Sequence, residues 1–332
     1  MGTDADTDYD KKIKEQIQQY SNNALRFFPA EVHQYWKRHY LAPKLQEVFD
    51  TPNHFDIYTN CAPTDNTAFN ILSVGSGDGQ LEVEMAQRLL ASGRDKFKIH
   101  ATELSPIRQE RTKNLVKSKG LEDHFVYHIL DFNKKFVEGK FDMIFAHHVL
   151  HHIVNLEFLF DSIHEALTPN GVFATMDMIG RNGHMRWPEA LEFIDLAWTF
   201  IPDHWKHNFQ FNAFHENYLN FDCSKSGFEG IRAEDIQPLL VKKFCFSKFV
   251  AVGGFMDVLF DRGYGQSIDI SNPREAGLVK FLSETNELLL ESGRVKPTMV
   301  FAQMTRKSPA VKQRKTKVWK NMTPEFALRI PD

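Results

Sequence analysis

The segment Asn70-Ile71-Leu72-Ser73-Val74-Gly75-Ser76-Gly77-Asp78-Gly79-Gln80-Leu81 joins an apolar run, Ile71 to Val74, to three glycines at alternate positions. A helical pattern follows at once in Leu81, Val83, Met85, Ala86, Leu89 and Leu90. Strand, glycine turn and helix in that order open a nucleotide-binding α/β unit. Glycine suits the turn because its backbone takes unusual angles and a ligand lies against bare main chain. The spacing is G-x-G-x-G. The dinucleotide fingerprint G-x-G-x-x-G would need a third glycine where Gln80 stands, and the Gly-Lys-Ser/Thr of a P-loop is absent.

Working outward, Lys98 to Thr102 reads as a second strand, ending in Glu103-Leu104-Ser105-Pro106. An acid at that strand end can accept hydrogen bonds from both ribose hydroxyls. Its plainer reading is a solvated residue at a helix start. Strands and helices then alternate to residue 180, which predicts a parallel, doubly wound sheet. Strand five is expected over Gly171–Met178, strand six over Phe244–Val252 and strand seven over Thr298–Thr305, with a helix from Pro273 to Glu291.

With these segments in register, the chain resembles the class I S-adenosylmethionine-dependent methyltransferases of small-molecule type. The resemblance rests on Val74–Gly79, on Glu103, and on Leu130-Asp131-Phe132 after a third strand. It continues through Phe141–His147 as a fourth strand, Leu150-His151-His152-Ile153, and Leu167–Phe173 leading into strand five. It implies a seven-stranded Rossmann-like sheet with an antiparallel last strand, and S-adenosylmethionine as the cofactor. Gly75, Ser76, Gly77, Asp78, Gly79 and Gln80 would cradle it, with Asp78 and Gln80 near the methionine moiety. Glu103 and Leu104 would meet the ribose, Asp131 and Phe132 the adenine, and His147 the same pocket. The chain departs from the pattern at Ser73, where many relatives carry an acid.

Around this core, residues 1–10 are expected to be an acidic disordered tail and 11–67 a helical segment, broken at Phe27-Phe28-Pro29 and ending in a loop over Asn53–Thr67. The cofactor core spans 68–180, a helical cap 181–240, the last strands and helix 241–305, and a basic tail 306–332. The cap sits between strands five and six, an interval too long for a connector. Its Phe193, Phe200, Phe209, Phe211, Phe214, Phe221 and Phe228 are expected to form a cap core that also walls an apolar acceptor pocket. The basic tail reads as solvated, or as a contact for an acidic partner, membrane surface or neighbouring subunit.

At 332 residues, 42% hydrophobic and 25% charged, the chain can bury a full α/β core. A net charge of −3 argues against nucleic acid as a partner, because phosphate binding relies on clustered Lys and Arg. Cys61, Cys223 and Cys245 are far apart and form no zinc pattern. No apolar run is long enough for a membrane span, and the start is unlike a signal peptide, so a cytoplasmic location is expected.

Methyl transfer from a sulfonium is an in-line displacement in which the protein positions the nucleophile. A hydroxyl nucleophile gains from a general base within hydrogen-bond reach. His147 and His148 end strand four, and His151 and His152 open the next helix. His147/His151 and His148/His152 are i,i+4 pairs. His147 and His151 are the expected bases, with His152 next; the plainer reading is structural histidines. Overlapping His-x-x-x-His pairs also suit zinc. No Glu holds the zincin position and no Asp or Cys nearby completes a set, Asp177 being the carboxylate that might reach it, so no functional metal is expected.

In the loop after strand five, Arg181 and Arg186 suit an acceptor carboxylate or phosphate, His184 is an alternative base, and Trp187 joins them as an acceptor-site candidate. Their plainer role is to cap the loop and meet solvent. The Asn/Asp-Pro-Pro-Tyr/Phe motif of base-nitrogen methylation is absent after strand four, where Ala146-His147-His148-Val149 stands. No cysteine near the strand ends offers pyrimidine C5 chemistry. The expected function is methylation of a small-molecule acceptor, with oxygen slightly preferred over nitrogen or carbon. The alternatives are a protein or glycan methyltransferase, or a non-catalytic S-adenosylmethionine-binding scaffold.

Overall fold

The computed structural model describes residues 4–22, 30–64, 67–225, 227–307 and 315–329. Its strands are β1 (Phe69–Val74), β2 (Phe97–Glu103), β3 (Phe125–Ile129), β4 (Phe141–His147), β5 (Leu167–Met178), β6 (Phe244–Val252), β7 (Met299–Arg306) and β8 (Lys317–Val318). They form one sheet in the order β8-β6-β7-β5-β4-β1-β2-β3. β7 runs antiparallel to β5 and β6, and every other pairing is parallel. Among the described residues ten α-helices accompany it: α1 (Asp4–Asn22), α2 (Glu31–Trp36), α3 (Ala42–Phe49), α4 (His54–Cys61), α5 (Gln80–Ala91), α6 (Pro106–Ser118), α7 (Leu156–Ala166), α8 (Pro188–Trp198), α9 (Ala233–Lys243) and α10 (Pro273–Glu291).

β1 is covered on both faces, which is why it reads as a continuous apolar run rather than an alternating one. Leu72 and Val74 join Ile144, Phe160 and Leu240 beneath α7 and α9. Ile71 joins Val83, Leu89, Ile99 and Val116 beneath α5 and α6. β1 leads outward to β2 while its neighbour β4 leads the other way to β5. The carboxyl ends of β1 and β4 therefore flank the topological switch point, where open α/β sheets bind ligands. A third cluster unites α2 and α3 with the cap: Trp36, Leu45 and Val48 pack with Ile194, Trp198, Trp205, Val252 and Phe301.

The fold corrects several expectations. The sheet has eight strands, not seven, because Lys317–Val318 of the basic tail pairs with Lys248–Phe249. That pairing covers the open edge of β6, and Lys317 adds an ion pair to Asp50 at 2.9 Å. The expected acidic disordered tail is helical from Asp4 onward, with Asp10 paired to Lys134 at 2.8 Å. Residues 1–3, the break at Phe27-Phe28-Pro29 and residues 308–314 lie outside the described residues. The expected loop over 53–67 contains α4, which starts where the Asn53 side chain accepts the Phe55 N–H at 3.0 Å.

The cap consists of α8, three short 3-10 turns and a hairpin pairing His207–Asn208 with Ala213–Phe214. α9, expected to belong to it, is instead the crossover helix into β6 and packs on the β4–β5 side. Five of the seven cap phenylalanines are not core. Phe200, Phe209, Phe211, Phe214 and Phe221 are between 43% and 55% exposed, and Phe228 alone of the seven is buried. Among the described residues no helix is long and apolar enough to cross a membrane.

Candidate active site

At the carboxyl ends of β1 and β4 lies a cavity of about 530 Å³. Gly75, Ser76, Gly77, Asp78 and Gln80 line it from the turn, Glu103 and Leu104 from the end of β2, Asp131 and Phe132 from beyond β3, and His147 from the end of β4. Gly79 stands behind this wall as the N-cap of α5, at φ 79°. The turn is tied to β2. Ser76 N–H donates to the Thr102 carbonyl at 2.7 Å and Gly75 N–H to the Thr102 hydroxyl at 3.0 Å. Gly77 N–H donates to Glu103 Oε2 at 2.9 Å, while Oε1 accepts the N–H groups of Leu104 and Ser105 at 3.0 Å. Burial raises the Glu103 pKa; Arg108 and these N–H groups oppose the rise. Asp78 meets Arg108 at 3.4 Å and Arg111 at 3.6 Å.

Further lining groups come from α1, in the N-terminal helical segment that the resemblance implies covers the cofactor site, and from α5. Ile13, Gln16 and Ile17 of α1 face the cavity, and the Tyr9 hydroxyl donates to Asp131 Oδ2 at 2.7 Å. The spacing of Ile13 and Ile17 marks a helix face but not the surface it covers. Glu82 also lines the cavity. Ser73 Oγ donates to Glu82 Oε1 at 2.6 Å, while Oε2 is buried without a hydrogen-bond partner among the described residues. Burial pushes the Glu82 pKa up to about 7.

A second cavity, of about 460 Å³, lies between the cap and the ends of β5, β6 and β7. Trp36, Tyr218, Phe228 and Phe260 give it apolar walls, and His184, Arg186, Asp257 and Asp261 give it polar ones. Of the four acceptor-site candidates, His184 and Arg186 are here. Arg181 and Trp187 line neither cavity: Arg181 reaches the Arg186 carbonyl at 3.5 Å, and the Arg329 guanidinium lies 4.6 Å above the Trp187 ring. Arg186 is buried, donates to the His184 carbonyl at 2.8 Å and lies 3.4 Å from Asp257. Its charge is thus answered inside the protein. Burial also pushes the Asp261 carboxyl up to about 6.

His152 and Gln16 line both cavities and mark where they meet. The four histidines do not form i,i+4 pairs on a helix. His147 ends β4, His148 takes φ 51°, and His151 and His152 sit in a 3-10 turn, Leu150–His152. Buried Asp177 fixes this turn. Its Oδ2 accepts the N–H groups of Val149 and Leu150, both at 2.8 Å, and its Oδ1 meets His151 Nδ1 at 2.5 Å. His147 Nδ1 lies 3.0 Å from the hydroxyl of buried Tyr58. Burial, reinforced by His148 and His54, lowers the His147 pKa to about 3; burial and the neighbouring His151 lower His152 to about 3. Burial would lower His151 as well, but Asp177 and Glu229 carry it up to about 9. His151 lines neither cavity, so of the expected bases only His147 and His152 face one.

Residues 72–173 match the family model of a methyltransferase domain. The match runs from within β1 to within β5 and includes the glycine turn, Glu103, Asp131, Phe132 and His147. No curated protein matches the chain. Solved structures with a similar fold include the O-methyltransferase from a trans-AT PKS multienzyme of Brevibacillus brevis in complex with S-adenosyl-L-homocysteine. It is 14% identical, covering 80% of this chain and 75% of its own, with a TM-score of 0.42. The [4+2]-cyclase SpnF is 13% identical over 76% of this chain and 80% of its own, with a TM-score of 0.44. A geranyl diphosphate methyltransferase with GPP and sinefungin is 13% identical over 76% and 77%, with a TM-score of 0.42.

Proposed function

We propose that the chain is an S-adenosylmethionine-dependent methyltransferase acting on a small molecule, with a hydroxyl as the favoured acceptor. One observation carries this reading: a glycine-cradled cavity and an aromatic-walled cavity meet at His152. The residues present fit the cofactor. The main chain at Gly75 and Gly77 is bare at φ 73° and 59°. Glu103 keeps acceptor capacity toward a ribose, and the unpaired Oε2 of Glu82 suits an ammonium group. Asp131 and Phe132 would take the adenine, and Gln80 the methionine end. Bound there, the cofactor supplies an electrophilic methyl group.

The chain's own residues do the rest. Ile13 and Ile17 of α1 cover the first cavity and exclude water. The aromatic walls of the second orient an acceptor. His152, at the junction, orients the acceptor by accepting a hydrogen bond from its hydroxyl. His147, turned to Tyr58 inside the first cavity, helps shape the donor site. The roof that the cap forms over the second cavity favours a small molecule over a protein or glycan chain.

Calorimetric titration with S-adenosylmethionine and S-adenosylhomocysteine, followed by labelled-methyl transfer to hydroxylated aromatic metabolites and to whole protein extract, tests the proposal. Binding of both ligands and label in the small molecules is expected. Failure to bind either ligand, or label in protein alone, would overturn it.

A further inference from the structure

At the wall of the acceptor cavity three imidazoles, His151 from behind the wall, converge on one carboxylate. Glu229 Oε1 lies 2.8 Å from His184 Nε2 and 3.5 Å from His151 Nε2, and Glu229 Oε2 lies 3.7 Å from His152 Nε2. Donor atoms of His151, His152 and Glu229 all fall within 4.8 Å of one another. Around an ion with nitrogen ligands at about 2.1 Å, tetrahedral neighbours stand roughly 3.4 Å apart. The observed spacings straddle that value.

These positions are held by contacts that need no ion. Asp177 fixes the turn bearing His151 and His152. Gly183 N–H donates to the Gly230 carbonyl at 2.8 Å, and Ile231 N–H to the His151 carbonyl at 3.1 Å. This draws the His184 loop, the Glu229 segment and the histidine turn together. The approach is close enough that a Cβ on Gly230 would stand 3.0 Å from Gly183 N. His184 takes φ 56°, a strained backbone for a side chain of its size. On the far side of His151, Nδ1 is backed by buried Asp177. A carboxylate behind an imidazole is the usual outer support of a histidine metal ligand.

We propose that His151, His152 and Glu229 bind one divalent transition-metal cation, with His184 holding the Glu229 carboxylate from the cavity side. Two nitrogens and one carboxylate suit zinc or cobalt rather than magnesium. Binding sends the Nε2 proton of His151 to solvent, and its Nδ1–H stays with Asp177. His152, His184 and Glu229 line the acceptor cavity, so an acceptor oxygen can complete the coordination there, where the ion lowers the hydroxyl's pKa. His152 then serves as a ligand in place of orienting the acceptor hydroxyl. The role beside the acceptor rests on the methyl-transfer reading; the metal site does not.

Metal-free protein titrated with Zn²⁺ by calorimetry and with Co²⁺ by visible absorption tests the site. One ion per chain is expected, with the intense bands of four- or five-coordinate Co²⁺. His184→Ala and Glu229→Gln are each expected to weaken binding at least about tenfold, and His39→Ala, at an exposed histidine, to leave it unchanged. Circular dichroism checks each fold; should His184→Ala unfold, Glu229→Gln carries the comparison. Absence of Zn²⁺ binding, six-coordinate Co²⁺ spectra, or binding that Glu229→Gln leaves unchanged would overturn the proposal. S-adenosylmethionine binding by the same metal-free protein separates the two readings. Cofactor bound without any ion sinks the metal site alone, and an ion bound without cofactor sinks the methyl-transfer reading alone.

Discussion

The Ser73 hydroxyl donates to Glu82 Oε1 at 2.6 Å, wholly inside the protein. The resemblance implies an acid where Ser73 stands; here Glu82 reaches that place from the first turn of α5. Burial holds the Glu82 carboxyl protonated up to about pH 7, well above its ordinary 4.5. The stability this contributes is fully present below about pH 4.5 and is lost as pH rises through about 7. Glu82→Gln is therefore expected to be more stable than the parent at pH 8, by about 3 kcal/mol. The gap should close toward pH 4. Urea unfolding across that range measures it.

Glu103 holds three backbone N–H groups as well as facing the cavity. Glu103→Ala removes both functions and is expected to weaken S-adenosylmethionine binding by about tenfold or more. Glu103→Gln keeps one acceptor oxygen and should fall between it and the parent. Calorimetric titration of the three proteins gives the order.

Glycine substitutions in the turn should differ by what each meets. A Cβ at Gly75 would stand 2.6 Å from Val149 Cγ2, on the turn that Asp177 pins. One at Gly77 would stand 2.5 Å from Nη2 of Arg108, the far end of a flexible side chain. Both pay about 1–2 kcal/mol for the left-handed backbone. Gly75→Ala is expected to cost clearly more, read as the larger drop in Tm.

His152 and His147 should separate kinetically. His152→Ala is expected to lower kcat by about 10²-fold or more while S-adenosylmethionine affinity holds. His147→Ala, facing the donor cavity, is expected to act on that affinity first. Single-turnover rates beside calorimetry distinguish them; equal loss of affinity in both variants would contradict the assignment.

Much of the fold was legible because its signals are local. β1, its turn and α5 are written in a buried run, alternate glycines and a 3.6-residue pattern. Ser105-Pro106 and Asn272-Pro273 mark helix starts, where the Ser105 and Asn272 side chains accept the Arg108 and Arg274 N–H groups. The residues expected to hold the cofactor line one cavity, since they sit at strand ends that the pattern locates.

The acceptor side was not legible in this way. The spacing of the four histidines suggested i,i+4 pairs, yet the bend at His148 and the grip of Asp177 turn His151 inward and leave His152 between the cavities. Arg186 looked like an anion site until Asp257 came to face it. Glu229 and His184 carried no sign of joining His151, and α1 none of reaching Asp131. By itself the sequence determined the half around the glycine turn, because a glycine turn between a strand and a helix dictates its own backbone. Only the tertiary structure decided the acceptor half. There the charges and rings come from segments tens of residues apart, and only the packing of the cap on α2, α3 and the sheet brings them together.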